Sequence, residues 1–461
     1  MNLLARIRVN IATASPRRTR LALDAFIACL LFWGTHAAYR ASTGHTQNAD
    51  SMYSLAASEQ LLTHGNVELT RCAKPGDSLP YQLTPRGDAC YYGYPLGSTI
   101  LSLPFVQNMC LNRGLSTFHA DGRLNEGMES LLQLKIAADV SAAIIVLFFV
   151  LCRFYCSPAV SAAIALGFAF GSPVWSTLSR SLWSHTWMVA LLSLALVLIE
   201  WRRRMENTSR RTDIACGLAL GTVLFWMLFT RAHGVFSALG IGVYLLLHHR
   251  RLLMVTVGTG TLWVAALVGI SLHEFGTLTP PSVYSASNID GRDVLNRFAW
   301  LMVSPSRGLL IYCPYVAAVG VLLVAYRKHL ADAGMLLPAG IAIATHTALF
   351  SCYDGWHMGS SYGPRYFADL LPWFTLATAI AVRAVLASPG RTRIAALVLL
   401  AICFAWGGFV HGRGANAVKA WYWNWRAIAV GQETAVKEWN HPQFLAGLTY
   451  VVIPDGTVIE K

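Results

Sequence analysis

The chain has 461 residues, 55% of them hydrophobic and only 13% charged, with a mean hydropathy of +0.47. Soluble domains carry roughly 25% charged residues, so composition excludes an ordinary cytosolic enzyme and favours one polytopic domain over the several that length alone suggests. A net charge of +13 would suit nucleic acid, but the cations lie in short connections between apolar runs, which is a membrane pattern and argues against a nucleic-acid partner.

Residues 1–20 are basic, with Arg6, Arg8, Arg17, Arg18 and Arg20 and no acid. The apolar run that follows is too long for a signal-peptide core and reads as the first span. Windows of roughly 19 residues give apolar segments near 21–39, 132–152, 157–173, 184–201, 214–230, 234–248, 252–271, 308–326, 335–350, 367–386 and 393–410. The expectation is an all-α polytopic membrane protein of about eleven transmembrane helices, in a range of about 10–13. With the N-terminus inside, one side receives Arg153, Arg202-Arg203-Arg204, Arg210-Arg211, Arg250-Arg251, Arg327-Lys328, Arg383, Arg391 and Arg393. The other side receives 41–131, 272–307, 351–366 and the tail 411–461, with most of the acids. Lys/Arg bias in short loops sets orientation, so the N-terminus is read as cytoplasmic, 21–410 as the transmembrane domain and the tail as a short extracytoplasmic segment.

In the first outer loop, Cys72 and Cys90 flank a polar Pro/Gly-rich stretch, and an oxidising exterior permits a disulfide between them. Asp50 precedes a stretch, Ser51–Leu62, with apolar residues on one side, read as an amphipathic helix at the interface with Asp50 placed like an N-cap. The same carboxylate, at the mouth of a membrane cavity, suits proton removal from a hydroxyl. Tyr53 lies beside it. Tyr91-Tyr92-Gly93-Tyr94-Pro95-Leu96-Gly97 reads as a loop dipping into the membrane face before a short half-helix, its aromatics, Tyr94 among them, either interface anchors or a platform for a sugar ring. Lys135 and Asp139, four apart, read as an intrahelical ion pair.

Ionisable groups at membrane depth are functional-site candidates. His185 sits among tryptophans as a base or a hydrogen-bonded scaffold. Arg231, between two apolar helices, needs an anion, either a protein carboxylate or a ligand phosphate. Arg307 closes the second long outer loop. The last outer loop carries Trp356, His357, Ser360, Tyr362 and Arg365, the arginine at a helix start where N–H groups and a guanidinium make a phosphate seat; the alternative pairs Arg365 with Asp354 or Asp369. With Arg180, these arginines suggest a cationic ring. No CxxC or HExxH spacing points to a metal.

The pattern of Asp50 after the first span, Tyr94-Pro95-Leu96-Gly97, Ser304-Pro305-Ser306-Arg307-Gly308 and Gly363-Pro364-Arg365 resembles the GT-C superfamily of polytopic glycosyltransferases, most nearly the bacterial family 39-like enzymes. The resemblance spans about residues 20–410 as topology more than identity. It implies a GT-C-like fold with interfacial helices in the first outer loop and a site facing outward from a bacterial cytoplasmic membrane. It implies transfer from a polyprenyl-phosphate-linked sugar to a hydroxyl on a cell-envelope glycan, lipid or protein. By it Asp50 is the base; Arg365, Arg231 and Arg307 hold donor phosphate; and Tyr53, Tyr94, His185, Trp356, His357, Ser360 and Tyr362 contact substrate. Many members carry a paired acidic motif where Asp50 stands alone, so metal-independent transfer is expected over a divalent metal and no cofactor is assigned; a single direct displacement would invert the anomeric centre. The rival readings are a lipid or solute transporter or flippase, and an O-antigen ligase or polymerase-like enzyme.

Overall fold

A computed structural model describes residues 16–44, 49–70, 78–205, 209–280 and 289–461. Helix α1 (Pro16–Ala41) leads to α2 (Ser54–His64), a hairpin of β1 (Leu83–Arg86) and β2 (Ala89–Tyr92), and the short helices α3 (Gly97–Leu101) and α4 (Leu103–Val106). Then come α5 (Glu126–Arg153), α6 (Pro158–Phe170), α7 (Ser184–Arg203), α8 (Arg210–Thr230), α9 (Val235–His248) and α10 (Arg250–Phe275). The last third holds α11 (Val294–Val303), α12 (Leu309–Tyr312), α13 (Tyr315–Ala325), α14 (Leu336–Ser351), α15 (Leu371–Ala387) and α16 (Thr392–Asn416). It ends in α17 (Val418–Val430), α18 (Gln432–Lys437) and a hairpin of β3 (Tyr450–Val452) and β4 (Val458–Glu460).

Among the described residues 8 helices are long and apolar enough to cross a bilayer, so the protein is a helical membrane protein. Eight of the eleven expected segments reach spanning length. The segments near 157–173, 234–248 and 308–326 form the shorter apolar helices Pro158–Phe170, Ala232–His248 and Tyr315–Ala325. In the last of these, Pro314 lacks an amide hydrogen and cannot continue a helix, so the run divides into α12 and α13. Helix α15 is the hub, buried at every residue from Leu371 to Val382, as an all-round apolar helix must be. Helices α1 and α10 are peripheral, with 11% of each spanning window buried, and expose Phe26, Trp33, Met254 and Leu262 where hydrocarbon is the natural solvent.

Three local expectations change. Helix α2 is not a one-sided interfacial helix: Ser54 to Glu59 are all buried. Its polar residues are matched internally, Ser58 Oγ donating to the Thr99 carbonyl at 2.7 Å and Glu59 accepting from the Thr117 amide at 2.7 Å. Asp50 is not its N-cap, because Tyr53 holds that position without a side-chain cap; the carboxylate of Glu129 on α5 accepts the Leu55 amide at 2.9 Å instead. Asp139 faces His36 of α1 at 3.0 Å rather than closing a pair with Lys135. At the opposite end of the bundle, Glu200 pairs with Arg204, and Asp332 lies between Arg203 and Arg204, so the basic loops are tied to one another by two acids.

Helix approach relies on small residues. A Cβ at Gly240 on α9 would lie 2.4 Å from the Pro338 carbonyl oxygen on α14. Gly240→Leu is therefore expected to lower stability by about 1–3 kcal/mol, the usual cost of overpacking, read as a fall in the thermal midpoint in detergent; an unchanged midpoint would contradict the close α9–α14 approach.

Candidate active site at one end of the bundle

Asp50 is held by backbone and neighbours before any chemistry is asked of it. The Tyr92 hydroxyl at the end of β2 donates to the Asp50 carbonyl at 2.8 Å, and Gln82 donates to the Ala49 carbonyl at 2.8 Å. Ser51 is clamped from α5, its hydroxyl donating to Gln133 at 2.6 Å while Gln133 donates back to the Ser51 carbonyl at 2.7 Å. Gln133 also donates to Glu129 at 2.9 Å, so one polar stripe on α5 fixes both the Asp50 loop and the start of α2. Between them Tyr53 adopts φ 77, a left-handed conformation that a bulky residue accepts only when its surroundings impose it.

The carboxylate is left partly accessible, with a 36% exposed side chain, and meets Arg365: Nη1 stands 3.1 Å from Asp50 Oδ2. Hydroxyls of Tyr81 and Tyr94 each approach Oδ1 at 3.4 Å. The guanidinium lies flat on Trp183, its carbon 3.9 Å from the ring centroid, a geometry that favours a cation over an aromatic face. Its Nε is buried and has no hydrogen-bond partner. Asp50, Tyr94, Ser98, Trp183, Ser184 and Arg231 line one narrow cleft.

Behind the cleft is a second ionic centre. Asp369 is fully buried; its Oδ2 accepts from Arg231 Nε at 2.7 Å and its Oδ1 stands 2.7 Å from His185 Nδ1. Arg231 also donates to the Ser184 hydroxyl at 3.1 Å. The acid that Arg231 requires thus comes from 138 residues away, and His185 is tied to that same acid. Arg365 pairs with neither Asp354 nor Asp369; Asp354 instead meets Arg297 at 2.9 Å.

The remaining expected residues gather elsewhere. Arg307 is fully buried, and its guanidinium is surrounded by protein acceptors: the carbonyls of Ser306, His357 and Gly359, and the side chains of Gln443 and Asn424. Five donors meet five acceptors, so the cation serves as scaffold and is not turned to the cleft. Burial lowers its pKa to about 10, which leaves it charged near neutrality. His357, half-buried, is pushed down to about 4 by burial and then by Arg307, and is neutral near pH 7. Trp356 is buried with Lys437 Nζ 5.6 Å from its ring, and the buried Tyr362 hydroxyl donates to the Val410 carbonyl at 2.6 Å; Ser360 lies in the same segment, half-buried. Arg180 is likewise spent on backbone carbonyls, including Ser42 at 3.0 Å. The expected cationic ring reduces to Arg365 and Arg231 at one cleft. Cys72 lies outside the described residues, and with it the Cys72–Cys90 pairing.

Sequence reasoning missed Glu129, Gln133 and Tyr81. The first two carry a readable signal, polar residues spaced i, i+4 at the outer end of an apolar helix; Tyr81 carries none. Among the described residues no three His, Cys, Asp or Glu side chains converge as a metal-ligand set. The cleft offers a carboxylate for a proton, a guanidinium for an anion and aromatic faces for a ring-shaped ligand. No protein-family model matches the chain, and no curated protein matches it.

Asp369→Asn leaves Arg231 buried without its counter-charge, a change that typically costs about 3–5 kcal/mol. A clear fall in thermal midpoint is expected, whereas Tyr94→Phe should leave it nearly unchanged; equal midpoints for wild type and Asp369→Asn would remove the ionic centre from the scaffold.

Proposed function

We propose that this protein is a membrane glycosyltransferase that moves a sugar from a polyprenyl-phosphate carrier to a hydroxyl acceptor at the outer face of a cytoplasmic membrane. The observation that carries the reading is the Asp50–Arg365 pair in an aromatic cleft, beside which lies an apolar groove. Pro95 and Ser98 line the cleft, while the intervening Leu96, with Ile100, lines a cavity of about 100 Å³ against Phe225, Trp226, Phe229 and Trp263. Phe225 also lines a second cavity of about 380 Å³ between α8, α9 and α10, walled by Gly221, Leu224, Gly242, Leu253 and Val257. A cation-bearing head site with lateral apolar cavities beside it fits a phosphate on an isoprenoid chain. Arg231, which closes α8 at the cleft, stands on the same side as this groove.

In the reaction the acceptor hydroxyl oxygen attacks the anomeric carbon, its proton passes to an Asp50 oxygen, and the bond from that carbon to the phosphate oxygen breaks. The electron pair leaves with the polyprenyl phosphate, whose charge Arg365 meets, with Arg231 behind it. One displacement inverts the anomeric centre. Tyr94 and Trp183 offer faces for the sugar ring, and the Tyr81 and Tyr94 hydroxyls orient the Asp50 carboxylate. Arg307, Trp356, His357, Ser360 and Tyr362 support the wall that carries Arg365. The cytoplasmic N-terminus and outward-facing cleft follow from the basic loops at the other end of the bundle.

Purified protein in nanodiscs with short-chain polyprenyl-phosphate monosaccharides provides the test. Asp50→Asn should fold and lose about 10²–10⁴-fold in sugar release, the usual contribution of a positioned base; Arg365→Ala should weaken donor binding at least as much as it slows turnover. Folded wild type that binds no such donor would favour a transporter instead, and release only from pyrophosphate-linked oligosaccharides would favour a ligase-type enzyme.

A further inference from the structure

The short helices α3 and α4 separate two lateral cavities, and the donor groove accounts for only one. The other is a cavity of about 520 Å³ walled by α1, α4, α5 and α7, with Phe32, Trp33, His36, Phe105, Asp139 and Trp187 on its surface. Its entrance faces outward from the bundle, since Trp33 is 65% exposed and α1 is a peripheral helix. Its walls are aromatic: Phe32 stacks on His36 with centroids 6.0 Å apart, and Phe105 meets the edge of Trp187 at 6.1 Å. At its centre His36 Nδ1 stands 3.0 Å from Asp139 Oδ1, both about a quarter exposed to the cavity, at 24% and 29%. An ionisable pair on the lipid-facing side of a spanning bundle is costly and marks a functional site.

The cavity also lies next to the chemistry. Ser98 and Ser184 line the Asp50 cleft. Ser102, one turn on from Ser98, accepts a hydrogen bond from Trp187, one turn on from Ser184, at 3.3 Å. This indole–hydroxyl contact, about one helical turn or 5.4 Å along from each cleft residue, lies between the cleft and the cavity wall that Trp187 forms. The two grooves differ in polar character. The donor groove adjoins Arg231, whereas this one presents a carboxylate against an imidazole, with Arg40 one turn further out. That pair suits hydrogen bonds to hydroxyls, and Arg40 beside it can meet an anionic group further along the same headgroup.

We infer that the acceptor is itself a membrane amphiphile with a hydroxyl-bearing headgroup, its chain seated in the α1–α5–α7 cavity and its hydroxyl delivered past Trp187 to Asp50. This rests on the glycosyltransferase reading. It narrows the acceptor from glycan, lipid or protein to a lipid-anchored alcohol, so that both substrates reach one carboxylate from the bilayer by opposite sides of α3 and α4.

The test uses the full chain in nanodiscs and two photoreactive probes, a dodecyl glucoside and a short-chain polyprenyl phosphate, each with a diazirine in its chain, mapped by peptide mass spectrometry. The glucoside is expected to label residues 32–36, 140–143 and 187–190 saturably, with competition by unlabelled dodecyl glucoside but not by methyl glucoside. Ala143→Phe, which adds a ring on an exposed cavity wall and leaves the core untouched, should reduce that labelling at least tenfold. The same variant should leave polyprenyl-phosphate labelling of residues 221–264 unchanged, and Val257→Phe should do the converse. Non-saturable glucoside labelling, or labelling unaffected by Ala143→Phe, overturns the acceptor inference while leaving the donor reading intact. Absence of polyprenyl-phosphate labelling at 221–264 overturns the donor reading, and with it the acceptor role. In the turnover assay Ala143→Phe should lose transfer into an organic-soluble product with donor affinity unchanged; transfer solely to water-soluble acceptors would refute the inference.

Discussion

A carboxylate enclosed by apolar helices is tolerable only when its charge is met at close range, and Asp369 is met twice, by Arg231 and by His185. Each contact ties a different part of the chain to the turn that opens α15. Arg231 ends α8, His185 lies in the first turn of α7, and Asp369 follows Arg365 by four residues. The outer ends of three helices are thereby brought to one point, and Arg365 is aimed at Asp50 as a consequence. Removing one partner of such a buried pair is far costlier than the pair's net worth, so the centre works as a registration device: it defines where the helices stop sliding. The Asp50–Arg365 pair, in contrast, is only partly buried and joined by a single contact, so a competing anion can open it.

The same logic divides the arginines. Arg307 is buried among carbonyls and amide oxygens with its five donors met, and Arg180 spends both Nη groups on the carbonyls of Tyr39, Ser42 and Gly44. Arg180 and Arg365 each keep a buried Nε without a partner among the described residues, but Arg365 meets Asp50 and Trp183 of the cleft, and Arg231 lines it. An unmet donor in a low-dielectric wall costs about 1–3 kcal/mol, and at the cleft a phosphate oxygen is the chemistry that would meet it. Position at the cleft, rather than an unmet donor alone, separates a binding group from a structural one.

Much of this was legible in the sequence because it depends on local composition. Apolar windows located the spans, and the turn chemistry of Tyr94-Pro95-Leu96-Gly97 located the short half-helix. Asp50 and Arg365 stood out as ionisable groups beside membrane-depth segments. What failed were inferences about partners. The acid matching Arg231 lies 138 residues downstream, and the acceptors of Arg307 include Gln443, 136 residues on; no periodicity encodes pairings of that separation. The N-cap assignment failed for a related reason. Asp50 had the right residue type and offset, but Glu129 of α5 supplies the acceptor from outside, and a tertiary contact overrides a local preference. Three of the apolar windows form helices shorter than a span, and hydropathy alone is blind to a proline such as Pro314 that divides a run.

The closing segment is part of the site's foundation. Arg307 is enclosed by Asn424 on α17 and Gln443 beyond α18, so a guanidinium at the root of α12 has its full set of acceptors only with that segment in place. The wall carrying His357, Gly359 and ultimately Arg365 therefore leans on residues far downstream in the chain, and displacing them would strip acceptors from a buried cation rather than trim a dispensable tail.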